Sequence, residues 1–130
     1  MKAVVGTAGG TYLVDLETDE VEPALERPAP STSQMDLGLP RLLAAAQVGA
    51  TVVAVVDTRP PLAVSHDAGR TWRESGRGLP PGRAVAIADD NPDLIVYAAR
   101  NRLYVSNDGG RFWQALAAEL PEIDSVALAD

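Results

Sequence analysis

Arginine is the residue type in this sequence best suited to bind a ligand. Ten of the eleven basic residues are arginines, and a guanidinium group binds planar carboxylates and phosphates through paired hydrogen bonds. Arg59 and Arg100 stand 41 residues apart, and Asp57 and Arg102 each lie two residues from one of them. These four residues are the candidate ligand-binding residues. The ligand they suit is an acidic glycan, an acidic peptide or protein, or a small anion.

Acidic residues in the same stretches support a second interpretation, in which these arginines are ordinary surface residues balanced by nearby carboxylates. Seven of the ten arginines fall in predicted connections between strands, together with six acids. Both interpretations stay open at this point. The arginines are Arg27, Arg41, Arg59, Arg77, Arg83, Arg100 and Arg102, and the acids are Glu26, Asp36, Asp57, Glu119, Glu122 and Asp124.

The residue types present give little support for catalysis. The chain has no cysteine, which excludes thiol catalysis and cysteine-ligated metal sites, and His66 is its one histidine. Asp57 and Glu119 remain open as the carboxylate pair that glycoside hydrolysis requires. We predict no catalytic residue, no metal and no cofactor.

Size and charge narrow the class of protein. The 130 residues, 46% of them hydrophobic, suit one domain covering residues 1–130. A net charge of −7 argues against nucleic-acid and membrane partners, because their phosphates would be repelled. Glycines interrupt the N-terminal residues before an apolar run reaches the length of a signal peptide or a membrane span. We therefore expect a cytoplasmic protein.

The sequence repeats with a period of 41 residues. The segment SHDAGRTW at 65–72 recurs as SNDGGRFW at 106–113, with five of eight residues identical. The same offset aligns apolar runs on both sides of the segment without a gap. A fainter unit lies upstream, where the corresponding turn has neither glycine nor tryptophan. Three repeat units are therefore predicted.

Short apolar runs separated by turn residues predict that each unit is a four-stranded antiparallel meander, and that the protein is all-β. Unit 2 is expected at about 43–75 and unit 3 at about 84–116. Unit 1, at about 3–24, contains three strands, and the segment 125–130 matches the missing first strand. Residues 41–48 are ambiguous, because their leucines and alanines favour a helix while the repeat register favours a strand. We favour the strand.

The repeated segment has the residues of a tightly bonded turn. Asp67 and Asp108 can accept backbone N–H groups of their own turn, and Gly69 and Gly110 permit a positive φ. The tryptophan that ends each copy is expected to pack between neighbouring sheets. We predict a structural role for ten residues, which are Ser65, Asp67, Gly69, Thr71, Trp72, Ser106, Asp108, Gly110, Phe112 and Trp113.

Both copies resemble the Asp-box, also called the bacterial neuraminidase repeat, which occurs in sialidases, sortilin-type receptor domains and photosystem II assembly factors. SHDAGRTW is close to the consensus, and SNDGGRFW differs mainly by Phe112 in place of threonine. The resemblance implies a β-propeller whose blades are four-stranded sheets, with the Asp-boxes on the face opposite the ligand site. It leaves the function open. We expect a non-catalytic binding or assembly scaffold with its ligand or partner on that opposite face.

The alternative that the resemblance offers is a sialidase-like or other glycoside hydrolase, or a degenerate fragment of one. A sialidase would need an arginine triad, an Arg-Ile-Pro-type motif and a tyrosine–glutamate pair. The sequence has no such motif, and Tyr12, Tyr97 and Tyr104 fall in predicted strands. This departure from the pattern puts sialidase activity in doubt.

Three blades are too few for a closed propeller, which ordinarily has about four to eight. Unit 1 and the segment 125–130 fit one interrupted blade. We therefore predict a homodimer that forms a six-bladed ring, in which each chain donates its C-terminal strand to the first blade of the other. The alternative is a piece of a larger propeller. The proline-rich connection 24–41 is expected to act either as a lid or binding loop, or as a hinge or contact of the dimer.

Overall fold

The computed structural model of the protein describes residues 2–24 and 42–129. These residues form twelve β-strands and no helix, so none of the described segments is an apolar helix of membrane-spanning length. The expectations for the connection between units 1 and 2 lie outside the described residues, and so do those for Glu26, Arg27, Asp36 and Arg41.

The twelve strands form three four-stranded antiparallel sheets, which confirms the all-β class and the four-stranded units. Sheet 1 contains β1 (Lys2–Thr7), β2 (Gly10–Asp15), β3 (Val21–Pro23) and β12 (Ile123–Ala129). Sheet 2 contains β4 (Leu42–Val48), β5 (Thr51–Val56), β6 (Leu62–Ser65) and β7 (Arg73–Ser75). Sheet 3 contains β8 (Ala84–Ala88), β9 (Asn91–Ala99), β10 (Arg102–Ser106) and β11 (Gln114–Ala115). The sheets are consistent with propeller-like blades.

The ambiguous segment is a strand, as predicted. Leu42–Val48 pairs with Thr51–Val56 in antiparallel register, from Leu42 opposite Val56 to Val48 opposite Thr51. Its leucines and alanines favour a helix locally. The valine-rich neighbour supplies both backbone partners and a face to pack on, and this tertiary context overrides the local preference.

In this structure β12 completes sheet 1 of its own chain, whereas the sequence predicted that this strand is exchanged between two chains. β12 pairs with β1 along its length, with Lys2 opposite Ala129 and Val5 opposite Val126. Further bonds hold sheet 1 to the segment before β12, because the Asp19 carboxylate accepts the backbone N–H groups of Ala117 and Ala118. These contacts place sheet 1 beside sheet 3, and the order across the molecule is sheet 2, sheet 3, sheet 1.

The central strand β8 packs against β4 on one side and β12 on the other. Its large residues, Val85 and Ile87, belong to the core shared with sheet 2, whereas Ala84 and Ala86 belong to the core shared with sheet 1. Because side chains alternate along a strand, one face is large and the other small. The two cores show that a sheet packs on each face of β8.

Tyr97 occupies the centre of the core between sheets 2 and 3. It is the largest fully buried side chain, and its ring meets Trp113 edge-on with the centroids 6.3 Å apart. Its hydroxyl donates a hydrogen bond of 2.7 Å to the carbonyl oxygen of Pro80. Burial raises the pKa of Tyr97 well above its ordinary value, so this residue stays a neutral donor. Tyr97 thereby connects the core to the 80–83 loop.

Replacing the buried hydroxyl tests this connection. Tyr97→Phe leaves the Pro80 carbonyl without its donor, and we expect the free energy of unfolding to fall by about 1 kcal/mol. Urea denaturation measures the change, with Tyr12→Phe in half-buried β2 as the control. Equal stabilities for the two variants would mean that the hydrogen bond contributes nothing.

Candidate functional site

Loop 65–72, which links β6 to β7, is closed by hydrogen bonds among its own residues. The Ser65 hydroxyl donates to Asp67 Oδ1 at 2.7 Å and accepts the backbone N–H of Gly69 at 2.8 Å. Asp67 Oδ1 also accepts the backbone N–H of Thr71 at 2.8 Å, and Asp67 Oδ2 accepts the Thr71 hydroxyl at 2.5 Å. Gly69 has a φ of 91°, a region that glycine adopts without strain.

Loop 106–113, which links β10 to β11, repeats this pattern with one difference. The Ser106 hydroxyl donates to Asp108 Oδ1 at 2.8 Å and accepts the N–H of Gly110 at 2.9 Å. Asp108 Oδ1 accepts the N–H of Phe112 at 3.0 Å. Phe112 has no hydroxyl to offer, and its side chain is 78% exposed. The second loop therefore lacks the side-chain bond that Thr71 supplies in the first.

The bonded loops hold both carboxyl groups in the ionised form. The Thr71 hydroxyl has the largest effect in lowering the pKa of Asp67, followed by the Thr71 N–H and the Ser65 hydroxyl. The pKa of Asp108 is lowered mainly by the N–H of Phe112 and the hydroxyl of Ser106. A carboxylate already engaged in this way is a poor general base, and the arrangement is structural.

Loop 106–113 also joins sheet 3 to sheet 2. The Trp113 indole N–H donates to Ser75 Oγ at 2.9 Å, and the Ser75 hydroxyl donates to the carbonyl oxygen of Gly110. Both the indole and the glycine of the loop are therefore fastened to the outermost strand of the neighbouring sheet. We call this contact the Trp113 joint.

A cleft lies at the end of the sheets away from the repeated loops, because successive turns of an antiparallel meander alternate between its two ends. It is formed by the β5–β6, β7–β8 and β9–β10 connections and has a volume of about 570 Å³. Three arginines and four prolines line it, with one carboxylate. The lining residues are Arg59, Pro60, Pro61, Glu74, Arg77, Gly78, Leu79, Pro80, Pro81 and Arg100.

Arg100 holds an unusual backbone conformation at the cleft. Its φ is 57°, a left-handed conformation that costs a non-glycine residue about 1–2 kcal/mol. The Arg100 carbonyl accepts the N–H of Ile123 at 2.6 Å, and the neighbouring Asn101 carbonyl accepts that of Leu120 at 2.9 Å. The segment leading into β12 therefore holds this turn in place. Non-glycine residues in this conformation are often found at binding sites.

The part of the cleft formed by Pro80 and Pro81 contacts the core. Pro80 accepts the Tyr97 hydroxyl, and Arg83 N–H donates to the Ala98 carbonyl oxygen at 3.2 Å. Between them, Gly82 packs so closely that an added Cβ would stand 2.4 Å from the oxygen of Ala98. The backbone on both sides of Pro81 is therefore held to β9, by the hydrogen bond at Pro80 and the close packing at Gly82.

The structure brings some of the predicted site residues together and separates others. Arg59 and Arg100 line the same cleft, whereas Asp57 and Arg102 do not line it. Asp57 is exposed, and Arg102 forms an ion pair with Glu119 at 2.9 Å. Arg83 lies 3.6 Å from Glu122. The balancing of arginines by loop acids therefore applies to Arg83 and Arg102.

Sequence reasoning did not predict the apolar wall of the cleft, and it named Arg77 only among the arginines of the connections, whereas the structure places Arg77 in the lining of the cleft. The available signal was the pair of Pro-Pro dipeptides at 60–61 and 80–81, each in a connection at the same end of its sheet. Among residues 2–24 and 42–129 there is no cluster of three or more histidine, aspartate or glutamate side chains that could hold a metal ion.

Comparisons with known proteins add little. No protein-family model matches the chain, and no curated relative was found. Among solved structures, the crystal structure of a GH74 enzyme from Niastella koreensis matches with a TM-score of 0.49 and 18% sequence identity. The alignment covers 92% of this chain and 18% of that enzyme. At this level of likeness the match carries no argument about function.

The hydrogen bonds of loop 65–72 predict a specific pH dependence. The folded-state pKa of Asp67 lies below its unfolded value of about 4, so its stabilising effect is present above that pH and is lost as the pH falls toward the folded pKa. In Thr71→Val the largest cause of the lowering is gone. We expect lower stability at pH 7 and a shallower loss between pH 4 and pH 2, measured by thermal unfolding. The control is Thr58→Val, the same substitution at an exposed threonine outside this loop. An unchanged pH profile in Thr71→Val would contradict the prediction.

From the backbone conformation of Arg100 we predict that two variants that shorten its side chain differ in stability. Arg100→Gly and Arg100→Ala remove the same guanidinium group, but only glycine adopts a φ of 57° without strain. We expect the glycine variant to be more stable than the alanine variant by about 1 kcal/mol in urea denaturation. If Arg100→Ala were as stable as Arg100→Gly, the prediction would be wrong, because the turn would then adopt another conformation without cost.

Proposed function

We propose that the chain is a non-catalytic binding scaffold whose cleft holds an acidic ligand. The observation that carries the proposal is the convergence of Arg59, Arg77 and Arg100, from three separate connections, on one concave surface. Two of them belong to equivalent turns of neighbouring repeats, and the third comes from the connection between those repeats.

The charge of the cleft differs in sign from that of the whole chain. Three guanidinium groups face one carboxylate, Glu74, whereas the chain carries a net charge of −7. A local positive site on an acidic surface attracts an anion into one place and disfavours anions elsewhere. Guanidinium groups bind carboxylates and phosphates in paired geometry, so either group suits the cleft.

The ligand is expected to have an apolar portion as well. Four prolines and Leu79 line the cleft together with the arginines. Proline walls are rigid, so little conformational entropy is lost when a ligand packs against them. A sugar ring with a carboxylate, or the side chain and backbone of an acidic peptide, offers this combination of charge and apolar surface.

A binding role fits the carboxylates better than hydrolysis does. Glycoside hydrolysis ordinarily uses two carboxyl groups flanking the scissile bond, and among the described residues Glu74 is the one carboxylate that lines the cleft. The two loop aspartates, Asp67 and Asp108, are engaged with their own turns. This distribution supports a scaffold.

We also propose that the repeated loops are Asp-boxes and that the three sheets are blades of a propeller. The motif residues, the bonding of Ser65 and Asp67 within the loop, and the stacking of four-stranded sheets support this assignment. Two chains together would supply six blades, within the usual range of about four to eight. The proposed ring is therefore a homodimer without strand exchange.

Binding measurements test the cleft. Inorganic phosphate, a hexaglutamate peptide and sialyllactose are titrated by calorimetry at low ionic strength, where charge effects are least screened. We expect binding of at least one probe, weakened about tenfold or more in Arg59→Ala and in Arg77→Ala, since a hydrogen bond to a charged group contributes about 1.5–3 kcal/mol.

Arg70→Ala and Arg111→Ala are the matched controls, because these arginines belong to the repeated loops at the other end of the sheets. They are expected to bind as the unaltered protein does. Loss of affinity equal to that of the cleft variants would show a non-specific charge effect, and failure to bind any probe would overturn the proposal. Hydrolysis of sialyllactose during the titration would instead identify an enzyme.

A further inference from the structure

The three arginines that line the cleft differ from the arginines beside them in having no partner among the described residues. Loop acids pair with Arg83 and Arg102. Within the described part of the chain, the guanidinium groups of Arg59, Arg77 and Arg100 make neither a hydrogen bond nor an ion pair. These three groups are therefore available to a ligand.

Arg77 stands at the tip of a tight turn. The backbone N–H of Leu79 donates to the carbonyl oxygen of Gly76 at 3.0 Å, and Gly78 has a φ of 84°. This combination is typical of a type II turn, in which the third residue has a positive φ. Gly76 packs so closely that an added Cβ would stand 3.1 Å from Leu62. The backbone of Arg77 is therefore fixed before a ligand binds.

The other two arginines also stand on turns closed by backbone hydrogen bonds. The N–H of Val56 donates to the carbonyl oxygen of Pro61 at 2.8 Å and closes the loop that carries Arg59. The N–H of Ile123 donates to the carbonyl oxygen of Arg100 and holds the third turn. The backbone positions of all three arginines are thus set, and a ligand needs to order only their side chains. Such preorganisation reduces the entropy that is lost on binding.

The charged groups that line the cleft have a net charge of +2. Three guanidinium groups carry one positive charge each, and the Glu74 carboxylate, which also has no partner among the described residues, carries one negative charge. A ligand group with one negative charge would leave this surface positive, whereas a group with two would neutralise it. Electrostatic complementarity therefore favours a doubly charged group.

A phosphate monoester has the charge and the oxygen atoms that this lining suits. It carries about −1.5 to −2 charges at pH 7, because its second pKa is about 6, and it offers three strong acceptor oxygens. A carboxylate carries one charge and has two oxygens. Clusters of arginines are a recurring means of recognising phosphorylated groups. Three arginines from three separate connections can each bind a different phosphate oxygen.

We propose that the cleft selects a phosphate monoester in its doubly charged form, attached to an organic group that packs on the prolines of the lining. Arg59, Arg77 and Arg100 bind the phosphate, and Glu74 limits the positive charge so that a dianion neutralises it. The prolines and Leu79 supply the apolar surface for the organic group. This inference rests on the proposed function of the cleft and names the class of its ligand.

Two probes that share a ring but differ in charge test the inference. Phenyl phosphate is doubly charged at about pH 7.5 and phenyl sulfate is singly charged, and both present three terminal oxygens. The probes are titrated by calorimetry at low ionic strength. We expect the affinity for phenyl phosphate to be about tenfold higher or more, since its second charge strengthens the hydrogen bonds from the guanidinium groups. Equal affinities would overturn the inference.

The pH dependence of binding supplies a second readout. As the pH falls through about 6, phenyl phosphate takes up a proton and loses its second charge. Its affinity is therefore expected to fall toward that of phenyl sulfate between about pH 7.5 and about pH 5. Phenyl sulfate takes up no proton in this range, so it reports any titration of the protein itself. A ratio of the two affinities that is constant over this range would overturn the inference.

Substitutions that change the charge of the lining provide a graded test. Arg77→Ala lowers its net charge to +1 and Glu74→Gln raises it to +3, and both residues are exposed. The preference for phenyl phosphate over phenyl sulfate is expected to be smallest in Arg77→Ala, larger in the unaltered protein and largest in Glu74→Gln. Arg70→Ala, at the other end of the sheets, is the matched control and is expected to keep the unaltered preference. The same preference in all of these proteins would overturn the role of the lining charge.

Two further probes distinguish the sources of the phosphate group. A hexapeptide that contains phosphoserine and glucose 6-phosphate carry the same phosphate monoester on different organic groups. At least one of them is expected to bind more tightly than its unphosphorylated form, and the tighter of the two identifies the class of the organic group. If neither phosphorylated probe binds more tightly than its unphosphorylated form, the inference is overturned.

The outcomes separate this inference from the proposed function. If hexaglutamate or sialyllactose binds through the arginines while phenyl phosphate is not preferred over phenyl sulfate, the cleft remains a site for an acidic ligand and the phosphate monoester is overturned. If no anionic probe binds, the proposed function is overturned as well. Far-ultraviolet circular dichroism and thermal unfolding establish that each variant is folded.

Discussion

Strand β8 packs against sheet 2 on one face and against sheet 1 on the other, and the order of the three sheets depends on these two contacts. All five of its residues are buried. Because alanine alternates with valine and isoleucine along the strand, one face carries small side chains and the other carries large ones. Sheet 1 can approach closely on the face with small side chains, while Tyr97 and Trp113 fill the wider space beside sheet 2. The scarcity of aromatic residues, 5% of the chain, follows from this design, because closely stacked sheets leave few places for a large ring.

The repeat allowed most of the local structure to be predicted, since equivalent residues in successive units meet equivalent surroundings. It identified β4 as a strand against the preference of its own residues, and it placed Arg59 and Arg100 in matching turns at one end of the sheets. The order of the sheets could not be predicted in this way. Because residues 125–130 match the first strand of a unit, the sequence indicates that they pair with an edge like that of β1. It does not indicate whether this edge belongs to the same chain or to a second chain, since the two edges are chemically identical.

The sequence predicted only part of the cleft, and the reason is similar. Turns that are equivalent in sequence lie at the same end of the sheets, but a concave surface also depends on how neighbouring sheets approach each other. That approach is set by the Tyr97 hydroxyl on Pro80 and by the close packing of Gly82. These contacts join sheet 3 to the connection that precedes it, and a periodic pattern within units does not reveal them. Arg102, although adjacent in sequence to the cleft, is turned to Glu119 instead.

The pairing of β12 with β1 joins residues that are more than a hundred positions apart, as in the contact of Lys2 with Ala129. Contacts at such separation form late, because a long loop must be closed before they gain any stabilisation. During synthesis β1 is made first, yet its outer edge stays unpaired until β12 emerges from the ribosome. Sheets 2 and 3 can assemble in the meantime on the large face of β8. The pairing of β1 with β12 is thus expected to form after sheets 2 and 3 have assembled, and until then the exposed edge of β1 is open to non-native pairing.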